Sequence, residues 1–258
     1  MKSNSKIEFV FFGTPRLATF VLDEMKKEGL PPSLIVTAPD RLAGRGMKLT
    51  PSPVKIWAEK YNIPVLQPEK LDSNFVEKLK KHTANSLFIV AAYGKIIPKE
   101  VLDIPKYGVL NVHPSLLPKF RGASPLQSII LSGDVETGVT IILMDEEMDH
   151  GPILEIRNYE LGATENAEGL GGKLFRIGGE MLVDVVPKWI SGKIIPTPQD
   201  DSKTTFTKKI VKKDGLIDLG DDAELNWRKY RAYHGWPGTY FFTKNNTRIK
   251  ITDAEYKN

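Results

Sequence analysis

The first 150 residues alternate short apolar runs with amphipathic segments, and this alternation constrains the fold more than any other feature of the sequence. It is typical of repeated strand–helix–strand units, in which helices cover a parallel sheet. We therefore predict an α/β fold with a Rossmann-like, mostly parallel sheet and helices on both faces. The predicted strands span residues 7–12, 33–37, 65–66, 86–91, 108–113 and 138–144.

Apolar residues at helical spacing predict the intervening helices. Ser52 followed by Pro53 is a typical helix start, and Gly133 is a typical stop. A further strand and a long helix follow, and each of the five glycines in that helix weakens it by about 1 kcal/mol relative to alanine. The predicted helices span residues 17–27, 53–61, 74–81, 124–131 and 164–190, and the added strand spans 153–159.

Composition divides the chain into three parts. Residues 1–195 form the predicted first domain, and residues 196–207, rich in Pro, Ser, Thr and Asp, form the predicted linker. The remaining part, 208–258, holds about fifty residues, too few to bury an independent core. We expect it to lean on the first domain or to be the remnant of a larger one. Its predicted elements are a helix over 223–233 and strands over 240–243 and 248–252.

Composition also excludes several kinds of site. The chain has no cysteine, so it can hold no disulfide, thiolate nucleophile or cysteine-ligated metal. Because it lacks a signal-peptide core and any run of about 18 apolar residues, we expect a cytoplasmic protein without membrane contact. Twelve Lys and Arg stand against eight Asp and Glu from residue 201 onward, whereas each class numbers 24 before it. This basic end favours a polyanionic partner, although solubility alone explains a net charge of +4 equally well.

Motifs of several enzyme classes are missing from the sequence: the phosphate-binding P-loop, the dinucleotide fingerprint, the serine nucleophile elbow and the zinc-protease motif. The first predicted strand ends instead in a tight turn, Gly13-Thr14-Pro15. Turns at the carboxyl ends of parallel strands lie where α/β proteins bind ligands. We predict that these three residues line a substrate pocket, the alternative being a mere connection.

Asn111 and His113 end the predicted strand 108–113, and because strand side chains alternate they share one face. An amide beside an imidazole suits a reaction that needs a donor to an oxyanion and a proton acceptor. The alternative is a structural pair that satisfies itself or the strand edge. A carboxylate to orient the imidazole is expected from the next acidic loop, unless that loop is merely solvated. The candidates, among which spacing cannot choose, are Asp145, Glu146, Glu147 and Asp149.

A second unusual loop follows Asp40 and carries Arg41, Arg45 and Lys48, with two glycines and no further acidic residue. We predict a mobile, cationic loop of the kind that contacts nucleic-acid phosphates. An idle surface loop is the alternative.

The sequence resembles those of the folate-dependent formyltransferases. The resemblance rests on residues 111–127, which begin Asn-Val-His-Pro-Ser-Leu-Leu-Pro, and on residues 144–154, which begin Met-Asp-Glu-Glu-Met-Asp-His-Gly-Pro. Residues 11–15, the arginine loop and the segment Trp236-Pro-Gly make the chain most similar to members that act on methionyl-tRNA. The resemblance runs from residue 7 to about residue 250.

The resemblance implies transfer of the formyl group of 10-formyltetrahydrofolate to the α-amine of initiator methionyl-tRNA, for translation initiation and without a metal. Asn111 would donate to the oxyanion, His113 would relay a proton and Asp149 would orient His113. The residues implied to bind folate are Tyr93, Gly94, Ile96, Ile97, Ser115, Leu116, Leu117 and Pro118. The residues implied to approach tRNA are Arg41, Arg45 and Lys48.

The chain departs from the family pattern in two places. Arg16 stands where the family usually has an acidic residue, and residues 208–258 reach about halfway through the usual C-terminal barrel. We therefore expect a small, truncated OB-like segment for tRNA binding, and a monomer. The alternative functions are a formyltransferase acting on a sugar amine or other small amine, and a non-catalytic tRNA-binding protein on the same scaffold.

Overall fold

A seven-stranded sheet forms the centre of the protein, in a computed structural model that describes residues 7–44, 46–81 and 87–256. The strands are β1 (Phe9–Gly13), β2 (Leu34–Val36), β3 (Arg41–Ala43), β4 (Lys48–Thr50), β5 (Val65–Leu66), β6 (Leu87–Ala91), β7 (Val109–His113), β8 (Arg121–Gly122), β9 (Glu136–Leu143), β10 (Ile153–Glu160), β11 (Phe206–Thr207), β12 (Thr239–Phe242) and β13 (Arg248–Ile251). The α-helices are α1 (Arg16–Lys27), α2 (Pro53–Lys60), α3 (Ser73–Lys80), α4 (Lys99–Leu102), α5 (Pro125–Ser132), α6 (Ala167–Ile190) and α7 (Ala223–Ala232).

Five strands of the sheet are parallel and lie in the order β7, β6, β1, β2, β5. β9 and β10 extend the sheet beyond β7 with antiparallel pairing. Strands progress outward from β1 in one direction and from β6 in the other, so the topological switch point lies between them. Ligands of such sheets bind outside the carboxyl ends of the strands at this point. The predicted mostly parallel α/β fold is confirmed.

Each face of the sheet has its own hydrophobic core. Phe9 and Phe11 of β1 pack with residues of α1, α2, α5 and α6, whereas Val10 and Phe12 pack with residues of α3 and α4. All four side chains are fully buried. A strand covered on both faces requires apolar residues at every position, which explains the unbroken apolar run in the sequence. The prediction of helices on both faces is confirmed.

The long helix α6 is continuous over 24 residues despite its five glycines. A Cβ atom on Gly179 would lie 2.9 Å from the carbonyl oxygen of Val21 in α1, and one on Gly171 would lie 2.9 Å from Leu126 Cδ1 in α5. The glycines therefore let α6 lie close against both helices, and the buried surface offsets their low helix propensity. None of the helices in the described ranges is both long and apolar enough to cross a bilayer.

Helix ends follow the predicted signals. The Oγ of Ser52 accepts a hydrogen bond from the backbone N–H of Lys55 at 3.0 Å, and Pro53 occupies the first turn of α2. Gly133 ends α5 with a left-handed backbone, φ 77°. The sequence prediction of both ends is confirmed.

Residues 41–43 and 48–50 form two strands where the sequence predicts a loop. β3 and β4 pair as an antiparallel hairpin. Asp40 holds the base of this hairpin, since its carboxylate accepts hydrogen bonds from Lys55 Nζ and Gln67 Nε2, each at 2.7 Å. Strands of three residues carry too short a pattern to be recognised in a sequence, so their pairing was missed.

Residues 208–256 rest on the first domain, as their small number predicts. Ile210, Ala232 and Tyr233 belong to the core that also contains residues of α1 and α6. Arg231 NH1 donates to the carbonyl oxygen of Glu165 at 3.2 Å. β12 and β13 form an antiparallel pair, which gives the C-terminal part a small β segment.

Candidate active site

Asn111 and His113 lie at the carboxyl end of β7, between β6 and β9. Asn111 is opposite Val90 of β6, and His113 is opposite Thr140 of β9. Both side chains are buried, with 8% and 4% of their surfaces exposed. Their common face follows from the alternation of side chains in a strand. The sheet therefore holds an amide and an imidazole side by side at its ligand-binding edge.

Asp149 reaches both of these side chains from the loop that follows β9. Its Oδ1 lies 3.4 Å from His113 Nδ1 and accepts a hydrogen bond from Asn111 Nδ2 at 3.3 Å. Its Oδ2 accepts a hydrogen bond from the backbone N–H of Gly122 at 2.8 Å. The backbone of Asp149 is left-handed, φ 51°, a conformation that is uncommon for residues other than glycine, although aspartate adopts it more readily than most. The structure thus brings the three predicted catalytic residues together.

The carboxyl group of Asp149 is held in its charged form. Burial favours the neutral acid, but the charge and hydrogen bond of His113 and the N–H of Gly122 outweigh burial, so the pKa of Asp149 lies below its ordinary value of 3.8. The site therefore holds an ionised carboxylate 3.4 Å from the imidazole of His113.

The second ring nitrogen of His113 also faces an oxygen. His113 Nε2 lies 3.1 Å from the carbonyl oxygen of Phe120. With a carboxylate at Nδ1 and a carbonyl at Nε2, only the imidazolium can donate to both partners. A neutral ring donates to one of them and turns the lone pair of its other nitrogen toward the second.

The other acidic residues of the loop have different partners. Asp145 Oδ2 lies 2.6 Å from His150 Nδ1, and Glu146 Oε1 lies 3.2 Å from Lys99 Nζ. Glu147 is exposed to solvent. Of the four carboxylates that spacing left open, Asp149 contacts the imidazole of His113.

The residues that the resemblance assigns to folate lie on two segments beside this cluster. In the first segment, Tyr93 and Ile97 are buried, Gly94 has a left-handed backbone with φ 80°, and Ile96 is 86% exposed. In the second segment Ser115 and Leu117 are buried, and Leu116 and Pro118 are half-buried. Thr140 joins this segment to β9, since its Oγ1 donates to the carbonyl oxygen of Ser115 at 2.7 Å.

The hydroxyl of Tyr93 is buried and has no hydrogen-bond partner among the described residues. Burial raises the pKa of Tyr93 to about 12, so the group remains a hydrogen-bond donor. An unpaired buried hydroxyl costs on the order of 1–3 kcal/mol. A polar ligand group that pairs with this hydroxyl would remove that cost.

The turn after β1 lies against the Tyr93 segment. Thr14 Oγ1 donates to the carbonyl oxygen of Tyr93 at 3.0 Å. A Cβ atom on Gly13 would lie 2.6 Å from the ring of Phe11 and 3.0 Å from the carbonyl oxygen of Ala91, so the turn requires glycine. Pro15 follows as the N-cap residue of α1. The predicted pocket residues Gly13, Thr14 and Pro15 therefore stand at the switch point between β1 and β6.

The predicted tRNA-binding residues lie on the β3–β4 hairpin. Arg41 and Lys48 occupy opposite strands and are exposed to solvent. Arg45 lies outside the described residues. The described part of the hairpin thus presents cationic side chains on a β-structure that Asp40 anchors.

Three features of the cluster were missed by sequence reasoning: the N–H of Gly122, the carbonyl of Phe120 and the side chain of Gln199. The first two are backbone groups, whose positions no residue type reveals. Gln199 Nε2 donates to the carbonyl oxygens of Asp149 and Gly151, each at 2.8 Å. Gln199 lies fifty residues from Asp149, in a stretch whose composition predicts a linker. A glutamine in such a stretch does not by itself indicate a functional residue.

A metal site is not a feature of the described residues: no group of three or more His, Cys, Asp or Glu side chains in them is arranged to hold an ion. The polar groups of the cluster instead supply one amide, one imidazole and one carboxylate. These are the elements of proton transfer and of oxyanion stabilisation.

The sequence matches the family described as Formyl transferase over residues 5–186 and the Formyl transferase C-terminal domain over residues 209–258. The chain belongs to the formyltransferase family. A methionyl-tRNA formyltransferase from Chloroflexus aurantiacus is 45% identical to this formyltransferase over 236 residues, which cover 92% of this chain and 76% of that protein. The family predicted from the motifs is confirmed.

Solved structures agree with the fold of this formyltransferase. A 4-N formyltransferase from Francisella tularensis superposes with a TM-score of 0.73 at 19% identity, covering 98% of each chain. HypX from Aquifex aeolicus in complex with tetrahydrofolic acid superposes with a TM-score of 0.67 at 18% identity, covering 92% of this chain and 36% of that chain. At these identities the similarity establishes the shared fold.

Proposed function

We propose that this formyltransferase transfers the formyl group of 10-formyltetrahydrofolate to the α-amine of methionine on initiator tRNA. The observation that carries the proposal is the convergence of Asn111, His113 and Asp149 at the open end of the sheet. The 45% identity to a protein named methionyl-tRNA formyltransferase supports the choice of acceptor. The proposed setting is a monomer in the cytoplasm, which sedimentation of the purified chain and cell fractionation would test.

The proposed reaction begins with attack of the methionine amine nitrogen on the formyl carbon. A bond forms between nitrogen and carbon, and the formyl oxygen becomes an oxyanion that accepts a hydrogen bond from the Asn111 amide. His113 takes the proton that the amine loses and delivers it to N10 of the folate as the carbon–N10 bond breaks. Asp149 stabilises the imidazolium between these two transfers. The products are formyl-methionyl-tRNA and tetrahydrofolate, and no proton is gained or lost overall.

The proposed folate pocket is formed by the Tyr93 and Ser115–Pro118 segments beside the cluster. The unpaired hydroxyl of Tyr93 supports this assignment, because a pterin ring carries several hydrogen-bonding groups that can pair with a buried donor. The half-buried side chains of Leu116 and Pro118 offer apolar contact area to the same ring.

The proposed tRNA contact combines the β3–β4 hairpin with residues 208–258. Arg41 and Lys48 are exposed cations whose natural partners are phosphates. Residues from 201 onward carry the excess of positive charge in the sequence.

Formylation of charged initiator tRNA tests the proposal. Purified enzyme at micromolar concentration with 10-formyltetrahydrofolate should yield formyl-methionine after deacylation, and no product would defeat the proposal. The rate at subsaturating tRNA should fall steeply as salt rises, because phosphate contacts release counterions. A sugar-amine formyltransferase would instead show salt-insensitive turnover of small amines and none of tRNA.

A further inference from the structure

The segment 196–207 connects two parts of the chain and also contacts the loop that carries Asp149, called the catalytic loop below. Gln199 uses all of its hydrogen-bonding groups there. Its Nε2 donates to the carbonyl oxygens of Asp149 and Gly151, and its Oε1 accepts from Arg121 Nε at 3.1 Å and Arg121 NH2 at 2.7 Å. One side-chain amide therefore links the backbone of the catalytic loop to a buried guanidinium.

Both the guanidinium group and the backbone of Arg121 bind the segment 196–207. Its side chain is 5% exposed and also donates from NH2 to Asp201 Oδ1 at 2.8 Å. Its backbone N–H donates to the carbonyl oxygen of Thr205 at 2.9 Å, and β8 pairs with β11. Residues 199–207 thus bind the segment 120–122 through both main-chain and side-chain hydrogen bonds.

These contacts close a ring around the proposed catalytic pair. His113 contacts the carbonyl of Phe120, Arg121 follows Phe120 in the chain and binds Gln199, and Gln199 binds the backbone of Asp149. The Asp149 carboxylate then returns to His113 at 3.4 Å. A displacement of Gln199 would release the backbone of Asp149 and leave its carboxylate held only by its side-chain contacts with Gly122, Asn111 and His113.

We propose that Gln199 is a positioning residue that fixes Asp149 against His113, an inference that rests on the proposed formyl transfer. Asp149 needs such support because its backbone is in the left-handed region and its loop has no regular secondary structure. Gln199 does not touch the reacting atoms. It acts by holding the carbonyl oxygens on either side of His150, so that the Asp149 carboxylate stays directed at the imidazole.

Glutamine is suited to this position by chemistry. Two carbonyl oxygens on one side require donors, and the guanidinium on the other side requires an acceptor. A glutamate would keep the contact with Arg121 but would place a carboxylate oxygen against the two carbonyls. A methionine would fill a similar volume and make none of the four hydrogen bonds.

Gln199→Met and Gln199→Glu test the inference in steady-state formylation of methionyl-tRNA. We expect each to lower kcat by about tenfold to 100-fold, the range produced by small misplacements of catalytic groups. KM for tRNA and folate should stay within twofold, because the phosphate-contacting hairpin and the folate segments are unchanged. Asp201→Asn is the matched control: it removes the negative charge of another partner of Arg121 in the same segment and leaves the bonds of Gln199 to Asp149 and Gly151 in place, so kcat should stay within twofold.

The double variant Gln199→Met with Asp149→Asn separates positioning from a general effect on folding. If Gln199 acts through Asp149, Gln199→Met should lower kcat by less than twofold in the Asp149→Asn background. A tenfold loss in that background, or an unchanged kcat in both single variants, would overturn the inference. If Gln199→Met lacks a cooperative thermal transition, Gln199→Glu decides alone, since it retains the Arg121 contact.

The activity of the wild-type enzyme in the same assay separates a failure of the proposed formyl transfer from a failure of the proposed role of Gln199. An inactive wild type refutes the proposed formyl transfer. An active wild type with unchanged Gln199 variants refutes only the role of Gln199.

Discussion

Replacing Asp149 with asparagine removes one negative charge beside His113 while keeping the size of the side chain. Asparagine can still accept the hydrogen bond from Gly122 through its oxygen. Its amide nitrogen, a donor, would then face two other donors. These are the amide nitrogen of Asn111 and, when the ring is protonated, Nδ1 of His113. The substitution therefore destabilises the protonated ring of His113 in two ways. It removes the attracting negative charge, and it replaces a hydrogen-bond acceptor with a donor.

The distance between Asp149 and His113 sets the size of the effect. At 3.4 Å and an effective dielectric constant of about 20, a carboxylate and an imidazolium attract each other by about 5 kcal/mol. Each 1.4 kcal/mol corresponds to about tenfold in rate, so complete loss of this attraction would slow proton transfer by about 10³- to 10⁴-fold. Part of the effect is recovered from the surrounding dipoles, so we expect kcat to fall between about 100-fold and 10⁴-fold.

The assay is formyl transfer to charged initiator tRNA at saturating folate, followed by deacylation and quantification of formyl-methionine. Because Asp149 does not contact the hairpin proposed to bind phosphates, KM for tRNA should change little. Asp145→Asn is the matched control, since Asp145 lies in the same loop but pairs with His150. A loss smaller than tenfold in Asp149→Asn, or an equal loss in Asp145→Asn, would refute the assignment of Asp149 as the partner of His113.

Other substitutions test the remaining parts of the site. Asn111→Ala should lower kcat by about 100-fold to 1000-fold, the usual cost of one oxyanion donor, with intact thermal stability; a loss below fivefold would contradict its role. The pair Arg41→Ala and Lys48→Ala should raise KM for tRNA and reduce the slope of log affinity against log salt by about two, and an unchanged slope in filter binding would exclude phosphate contacts. Gly13→Ala should reduce the free energy of unfolding by roughly 1–3 kcal/mol, since its Cβ would lie 2.6 Å from the Phe11 ring and 2.8 Å from the Cβ of Ala18; urea denaturation showing no change would contradict the close packing of this turn.

The sequence was most informative where burial imposes a strict pattern. β1 is covered on both faces, so every residue of its run from Phe9 to Phe12 is apolar and the strand could be recognised directly. Asn111 and His113 stood out because they are polar residues at the end of such a strand. Period-2 alternation then placed them on one face without any structure.

The sequence was less informative where pairing depends on distant residues. The β3–β4 hairpin is held by Asp40 through Lys55 and Gln67, which lie fifteen and twenty-seven residues away. Continuity of α6 depends on contacts of Gly179 with α1, which local propensity cannot register. Both elements are products of tertiary packing rather than of their own sequence.

The carboxylate partner of His113 illustrates the same limit within the site. Four acidic residues share one loop, and spacing does not distinguish them. What selects Asp149 is a carboxylate held by the N–H of Gly122 and a backbone carbonyl held by Gln199, from segments 27 and 50 residues away. The family resemblance, rather than the spacing, singled out Asp149.

The fate of an isotopically labelled formyl carbon tests the central claim most directly. The purified chain would be mixed with 10-formyltetrahydrofolate labelled at that carbon and with charged initiator tRNA, and the released methionine analysed by mass spectrometry. We predict that the label appears on the α-amine of methionine with the wild-type chain and is at least 100-fold slower to appear with His113→Ala. Label that remains on the folate with the wild-type chain, or transfer at an equal rate by His113→Ala, would contradict the account.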